Sequence, residues 1–328
     1  MKFHYSTHAL CSVLLGLAVV MLGAYTRLSD AGLGCPDWPG CYGHMVVPQQ
    51  PAAVSLAEQA FPNALPVTPA KAWLEMIHRY LAGLLVILVA TLMIRRYQQP
   101  QWPRLLTFIP GLIILQAALG MWTVTWKLHP LAVMPHLMGG MTLVSCLWWH
   151  YLDQQPPKQG QHPPLQRALW LVFLLTSLQM LLGGWTSANY AALICADFLF
   201  CKGTLWPPMD FHQAFNILNL PIGLNYEGGT LSTQARTAIQ MSHRFMAVVI
   251  TLSISSTMIY AYLKTPLERW PIYRTLLLLL LQISLGVTNI LGSLPLWSAT
   301  LHNTVGLLLL LSLLSLIHQN RYANTATN

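Results

Sequence analysis

Eight stretches of this chain are long and apolar enough to cross a lipid bilayer, and that leaves few folds open. They run roughly 9–27, 73–94, 105–126, 131–152, 168–190, 238–262, 274–292 and 297–317. A hydrocarbon core of ~30 Å needs about 20 mostly apolar residues in a helix. The sequence therefore predicts an all-α integral membrane protein with eight transmembrane helices. Composition agrees: 8% of the residues are charged, against about 25% in a soluble domain. The same numbers exclude disorder. The net charge of +8 comes from few, scattered groups, which is unlike the clustered basic face of a nucleic-acid binder.

Lys and Arg locate the cytoplasmic side. One side holds Lys2, Arg95, Arg96, Arg104, Lys158, Arg167, Lys264, Arg269, Arg274 and Arg321; the other holds Arg27, Lys71, Lys127, Lys202 and Arg236. Ten against five places both termini in the cytoplasm. The two long loops, after spans 1 and 5, then face outward. Short turns are expected at Lys127–Pro130 and Leu294–Pro295. Span 1 has the look of a signal peptide, with Lys2 ahead of an apolar run. No clear small-x-small cleavage site follows it, and the span has a copy later in the chain.

That copy is part of an internal repeat. Leu22-Gly23-Ala24-Tyr25-Thr26 matches Leu182-Gly183-Gly184-Trp185-Thr186, and Cys35, Asp37 and Cys41 match Cys195, Asp197 and Cys201, at an offset of 160. His78-Arg79 matches His243-Arg244 at 165. Leu115-Gln116, Leu119-Gly120 and His136 match Leu281-Gln282, Leu285-Gly286 and His302 at 166. Each half is a four-span unit, expected over 1–153 and 154–328. An even number of spans makes the two halves parallel, with a pseudo-twofold axis along the membrane normal.

Of twelve histidines, four survive the repeat: His78, His136, His243 and His302. Each lies near the outer end of an even-numbered span, so all four share one depth. Intramembrane His is costly and marks a function, with a hydrogen-bonded or proton-path role as the plain alternative. Zinc would want three or four ligands close together, and each half offers two. Paired axial imidazoles are what a six-coordinate haem uses. Small residues beside them, Gly83, Gly139, Gly140 and Gly306, are expected to leave room for a porphyrin. The residues thus point to two haem-type sites, one per half. The other histidines (His4, His8, His44, His129, His150, His162, His212 and His318) are expected at surfaces, with His129 and His212 open to lying near a haem edge.

Cys35-x5-Cys41 and Cys195-x5-Cys201 lie in the outward loops, where thiols pair. A structural bridge and a redox-active pair both remain open. Cys11 and Cys146 read as packing residues within spans.

The stretch Thr26-Arg27-Leu28-Ser29-Asp30-Ala31-Gly32-Leu33-Gly34-Cys35-Pro36-Asp37-Trp38-Pro39-Gly40-Cys41 resembles the first outer loop of haem A synthases. Glu75-Met76-Ile77-His78-Arg79 looks like that family's second-span motif. Pro135-His136, Ser242-His243-Arg244 and Leu301-His302-Asn303 look like its other His positions. Pro208-Met209-Asp210-Phe211 and Ala214-Phe215 are similar to its second long loop. Many members place His directly after the second loop Cys, whereas here Tyr42-Gly43 precede His44. The resemblance covers almost the whole chain. It implies an enzyme of the bacterial inner membrane that converts haem O to haem A. The methyl at ring position 8 becomes a formyl group by two hydroxylations and loss of water. It also implies haem b, an iron porphyrin, as resident cofactor, haem O synthase upstream and haem-copper oxidases downstream. Whether the chain forms a homo-oligomer is left open.

Glu75 lies three residues before His78, nearly on one helix face, and its repeat counterpart is Gln240. Only the first half thus sets a carboxylate beside its His pair. A carboxylate there can accept a proton or stabilise developing positive charge. Glu75 is the expected catalytic group, with an ion pair to Arg79 or Lys71 as the alternative. His78 and His136 are then expected to bracket substrate haem O, and His243 and His302 haem b. Arg79 and Arg244 are expected either to pair with haem propionates or to snorkel to headgroups. Asp37 and Asp197 are expected to form turns. A di-haem electron-transfer or quinol-oxidising cytochrome is the competing reading, and a transporter with parallel repeats a weaker one.

Overall fold

Without water in the hydrocarbon layer, a crossing segment must satisfy its own peptide groups, and the helix does so. The computed structural model describes residues 2–97, 104–155, 162–198 and 200–321; Lys158 lies outside them. Among the described residues, eight helices are long and apolar enough to span a membrane. They are α1 (Lys2–Leu28), α3 (Pro69–Tyr97), α4 (Arg104–Thr125), α5 (Pro130–Leu152), α6 (Pro163–Ala188), α8 (Thr233–Lys264), α9 (Arg269–Leu291) and α10 (Leu296–Arg321). The fold is all-helical and the chain is a multi-pass membrane protein. Two short helices lie in the long loops, α2 (Pro51–Ala60) and α7 (Phe211–Ala214). Hydropathy gives no sign of either, because neither is apolar enough to stand out.

The helices overrun their apolar cores because a helix ends at a cap rather than where hydrophobicity stops. Ser232 caps α8 by accepting from the Ala235 amide. Four other ends close alike. Asp30 and Tyr190 take left-handed backbone just after α1 and α6, and so do Lys127–Leu128 after α4 and Ser293–Leu294 after α9. The amides of Ala31, Ala191, Leu128 and Leu294 then reach back to the carbonyls of Thr26, Thr186, Thr123 and Asn289 at 2.9, 2.9, 2.8 and 2.7 Å. This is the Schellman closure, normally built on glycine. A side chain in that conformation costs about 1–3 kcal/mol, offset by carbonyls that would otherwise stay unpaired.

The chain divides into two compact units. The first contains residues up to 144 with 188–190 and 216–230. In it α1 packs along α3, and Gly16 admits Val144 of α5 against the α1 backbone. The segment 216–230 is tied to the α4–α5 turn: the Tyr226 amide donates to the Lys127 carbonyl at 3.0 Å. His129 accepts from the Leu131 amide at Nδ1 and meets the Leu220 carbonyl through Nε2 at 3.2 Å. Burial pushes the Tyr226 phenol above its ordinary value, and that hydroxyl donates to the Pro221 carbonyl.

The second unit contains 145–187, 191–215 and the chain from 231. Here α10 is buried over most of its length and packs along α9. Trp148 donates its indole N–H to the Leu311 carbonyl and the Ser315 hydroxyl. His318 lies 2.9 Å from an Asp153 carboxylate oxygen and edge-on to Trp149. His129, His150 and His318, expected at surfaces, are all buried. Each sits where a helix end meets a neighbouring segment, so packing removes it from water.

His129→Ala removes the side-chain bond from the α4–α5 turn to 216–230 and strands the Leu220 carbonyl. We expect a loss of about 1–3 kcal/mol, read as a lower unfolding temperature in detergent, together with faster proteolysis within 216–230.

Candidate functional site

The four repeated histidines lie one on each of α3, α5, α8 and α10, and each is half-buried. His78 and His136 belong to the first unit, His243 and His302 to the second. Each ring edge rests on a glycine of the preceding span. A methyl group added at Gly23, Gly120, Gly183 or Gly286 would stand 2.8, 3.1, 3.1 or 3.2 Å from the Cε1 of His78, His136, His243 or His302. These glycines are therefore seats: only a residue without a side chain lets the imidazole come this close to the neighbouring helix. In the first unit the two rings have centres 6.5 Å apart and planes at 84°.

That spacing suits a shared metal ion. A metal–imidazole bond is about 2 Å, so rings on opposite faces of one ion have centres about 6–7 Å apart. Each of the four rings also buries Nδ1 without a hydrogen bond. Two nitrogens fall short of a zinc shell and match the axial pair of a haem. The residues present fit a haem.

The glycines flanking the histidines on their own helices behave differently from the expectation of empty room. Gly139 and Gly140 admit the Gln116 side chain, and Gly306 admits that of Gln282. Only Gly83 faces open space within 4 Å. The Gln282 amide nitrogen lies 3.2 Å from His302 Nε2, and Gln179 donates to the His243 carbonyl at 3.0 Å. The repeat marked Gln116 and Gln282 in the sequence but gave them no task; packing supplies one. Gln179 has no glutamine at its repeat position, Val19, and carries no such signal.

Above each site lies a disulfide loop. Cys35–Cys41 and Cys195–Cys201 are bonded, with S–S distances of 2.02 and 1.98 Å. Asp37 accepts from the Tyr42 and Gly43 amides, and Asp197 from the Gly203 amide, so both form turns. The loops are tied to the ligand helices by arginine. Arg79 donates through Nη1 to the Asp37, Pro39 and Gly40 carbonyls. Arg244 donates to the Asp197, Phe198, Phe200 and Cys195 carbonyls. In this structure both guanidiniums clamp a loop, a task beside the two expected for them.

Glu75 is buried under the first loop. Its Oε2 accepts from the Cys35 amide at 2.9 Å and its Oε1 pairs with Arg79. The ion pair weighed as an alternative thus forms, and the carboxylate is held between loop and ligand helix. Gln240, equally buried, leaves its Oε1 without a partner.

A family described as Cytochrome oxidase assembly protein (COX15-CtaA) matches residues 6–314. The chain belongs to this family. Among its relatives, a Heme A synthase of Shewanella oneidensis is 44% identical over 307 residues, covering 92% of each chain. A Heme A synthase of Granulibacter bethesdensis is 26% identical, covering 94% of this chain and 84% of its own. Another, of Neorickettsia sennetsu, is 24% identical over 93% of this chain and 96% of its own.

Overpacking by one methyl costs about 1–3 kcal/mol, or roughly tenfold in affinity. We expect Gly183→Ala and Gly286→Ala each to lower the haem retained on purification and to alter the axial-imidazole spectrum. Gly111→Ala, at a glycine facing open space, should change neither.

Proposed function

We propose that this chain is a haem A synthase, an oxidoreductase that converts haem O to haem A. The observation that carries this is similarity to a Heme A synthase over 92% of both chains, together with an imidazole pair fitted for haem. The same similarity disfavours the electron-transfer cytochrome. In this reading the two halves of the chain, 1–153 and 154–328, are repeats, a relation supported by left-handed residues recurring at offsets of 160 and 166.

His78 and His136 hold the substrate, haem O, in the first half. His243 and His302 hold haem b in the second, where the bound group supplies electron transfer. The ring-8 methyl is hydroxylated twice, each time giving up two electrons to an external oxidant and gaining one oxygen, and the resulting geminal diol loses water to give the formyl group. Glu75 is the carboxylate that sets the first half apart from the second. Its bonds to the Cys35 amide and Arg79 fix it one turn from His78. There it can take the proton of one diol hydroxyl and return it to the other, which leaves as water. The chain sits in the bacterial inner membrane with both termini cytoplasmic and its disulfide loops periplasmic. It takes haem O from the farnesyl-transferring synthase and supplies haem-copper oxidases.

Expression with a haem O source, followed by chromatography and mass analysis of extracted haems, tests the activity. Haem A above the control is expected; haem b alone, with quinol-dependent reduction, overturns it. Glu75→Gln should retain bound haem and lose most haem A formation. Haem A near the wild-type level would remove Glu75 from the chemistry.

A further inference from the structure

The two disulfide loops share a feature that neither the histidine sites nor the arginine clamps use. Just beyond the second cysteine each loop turns sharply, with left-handed backbone at Tyr42–Gly43 and Lys202–Gly203. Each then presents two large apolar side chains outward. Met45 and Val46 are 62% and 59% exposed, and Leu205 and Trp206 are 62% and 70% exposed. In a water-facing loop such pairs are unfavourable, and here the same pair recurs at an offset of 160.

Their surroundings say what covers them. The Met45 carbonyl accepts from the Tyr80 hydroxyl, and Trp206 stacks on Phe245, ring centres 5.8 Å apart. Tyr80 begins the exposed apolar stripe of α3 that continues through Leu84 and Ile87. Phe245 begins the corresponding stripe of α8, through Val248 and Leu252. In helices that span a membrane those stripes face lipid. The loop tips are thus continuous with a lipid-facing surface.

Depth agrees. Tyr80 lies about 22 Å of helix from Arg95, and Phe245 about 28 Å from Lys264, at 1.5 Å per residue. Both fall within a hydrocarbon core of ~30 Å, near its boundary on the loop side. Aromatic residues concentrate at that boundary. Lys202, in the turn beside Leu205, is placed to reach headgroups.

We infer that Met45–Val46 and Leu205–Trp206 insert into the lipid leaflet on the loop side, and that phospholipid acyl chains are their partner. Each disulfide loop is then anchored twice, by arginine to the ligand helix and by its tip to the bilayer. Tyr80 and Phe245 follow His78 and His243 by two residues, so the tips hold the loops at the depth of the haem ligands.

The test uses the full chain in nanodiscs of phosphatidylethanolamine and phosphatidylglycerol. Photoreactive p-benzoylphenylalanine replaces Met45 or Leu205, with Ile87 and Leu252 as lipid-facing references. Irradiation should add the mass of an intact phospholipid to the loop peptides as it does to the reference peptides. Adducts at the references with none at either tip overturn the inference. A second measurement needs no photoreactive residue in the cysteine loops. Brominated acyl chains should quench the part of the tryptophan emission that Trp206→Phe removes; if that part is quenched only by a water-soluble agent, the tip lies in water and the inference fails.

Discussion

Hydrocarbon offers no partner to a peptide group or an imidazole, and most of this structure follows from where those groups find one. Within the spans the helix supplies most backbone bonds, with Pro110 and Pro135 as breaks in the ladder. At the ends of α1, α4, α6 and α9 it cannot, and the chain accepts left-handed backbone at Asp30, Leu128, Tyr190 and Leu294 to close the last carbonyls. The same economy governs the histidines. Their rings lie against glycines on neighbouring helices, which brings each imidazole close while leaving Nδ1 buried and unbonded. Such a nitrogen is costly in a bare bundle and useful in one that takes up a haem.

The disulfide loops act through these helices. Arg79 and Arg244 immediately follow His78 and His243, and their guanidiniums gather the loop carbonyls. Each disulfide loop is thereby joined to the helix turn that carries the repeated histidine. Glu75 makes the first half's joint different from the second's, because its carboxylate bonds the Cys35 amide where Gln240 leaves an oxygen unpaired.

Much of this was legible in the sequence. The eight spans fall within a few residues of the helices, because 20 apolar residues have one stable form in a bilayer. The four histidines and the two cysteine pairs were legible because they recur in register. Other features were not. Sequence gave Gly139, Gly140 and Gly306 the task of making room for a porphyrin, and packing fills that room with Gln116 and Gln282. It placed His129, His150 and His318 at surfaces, and neighbouring segments bury them. Helices α2 and α7 escaped notice because loop helices lack a span's long apolar run.

What the sequence determined by itself was the number of apolar crossings and the recurrence of the histidines and cysteines at fixed offsets, since each depends on residue type and spacing along the chain. Only the tertiary structure decided which glycine seats which histidine, that Glu75 is taken up by Cys35 and Arg79, and that 216–230 packs with the first unit. Those are contacts between segments distant in the chain. Their energies depend on side-chain volume and on the partners left at close range, and no local pattern records either.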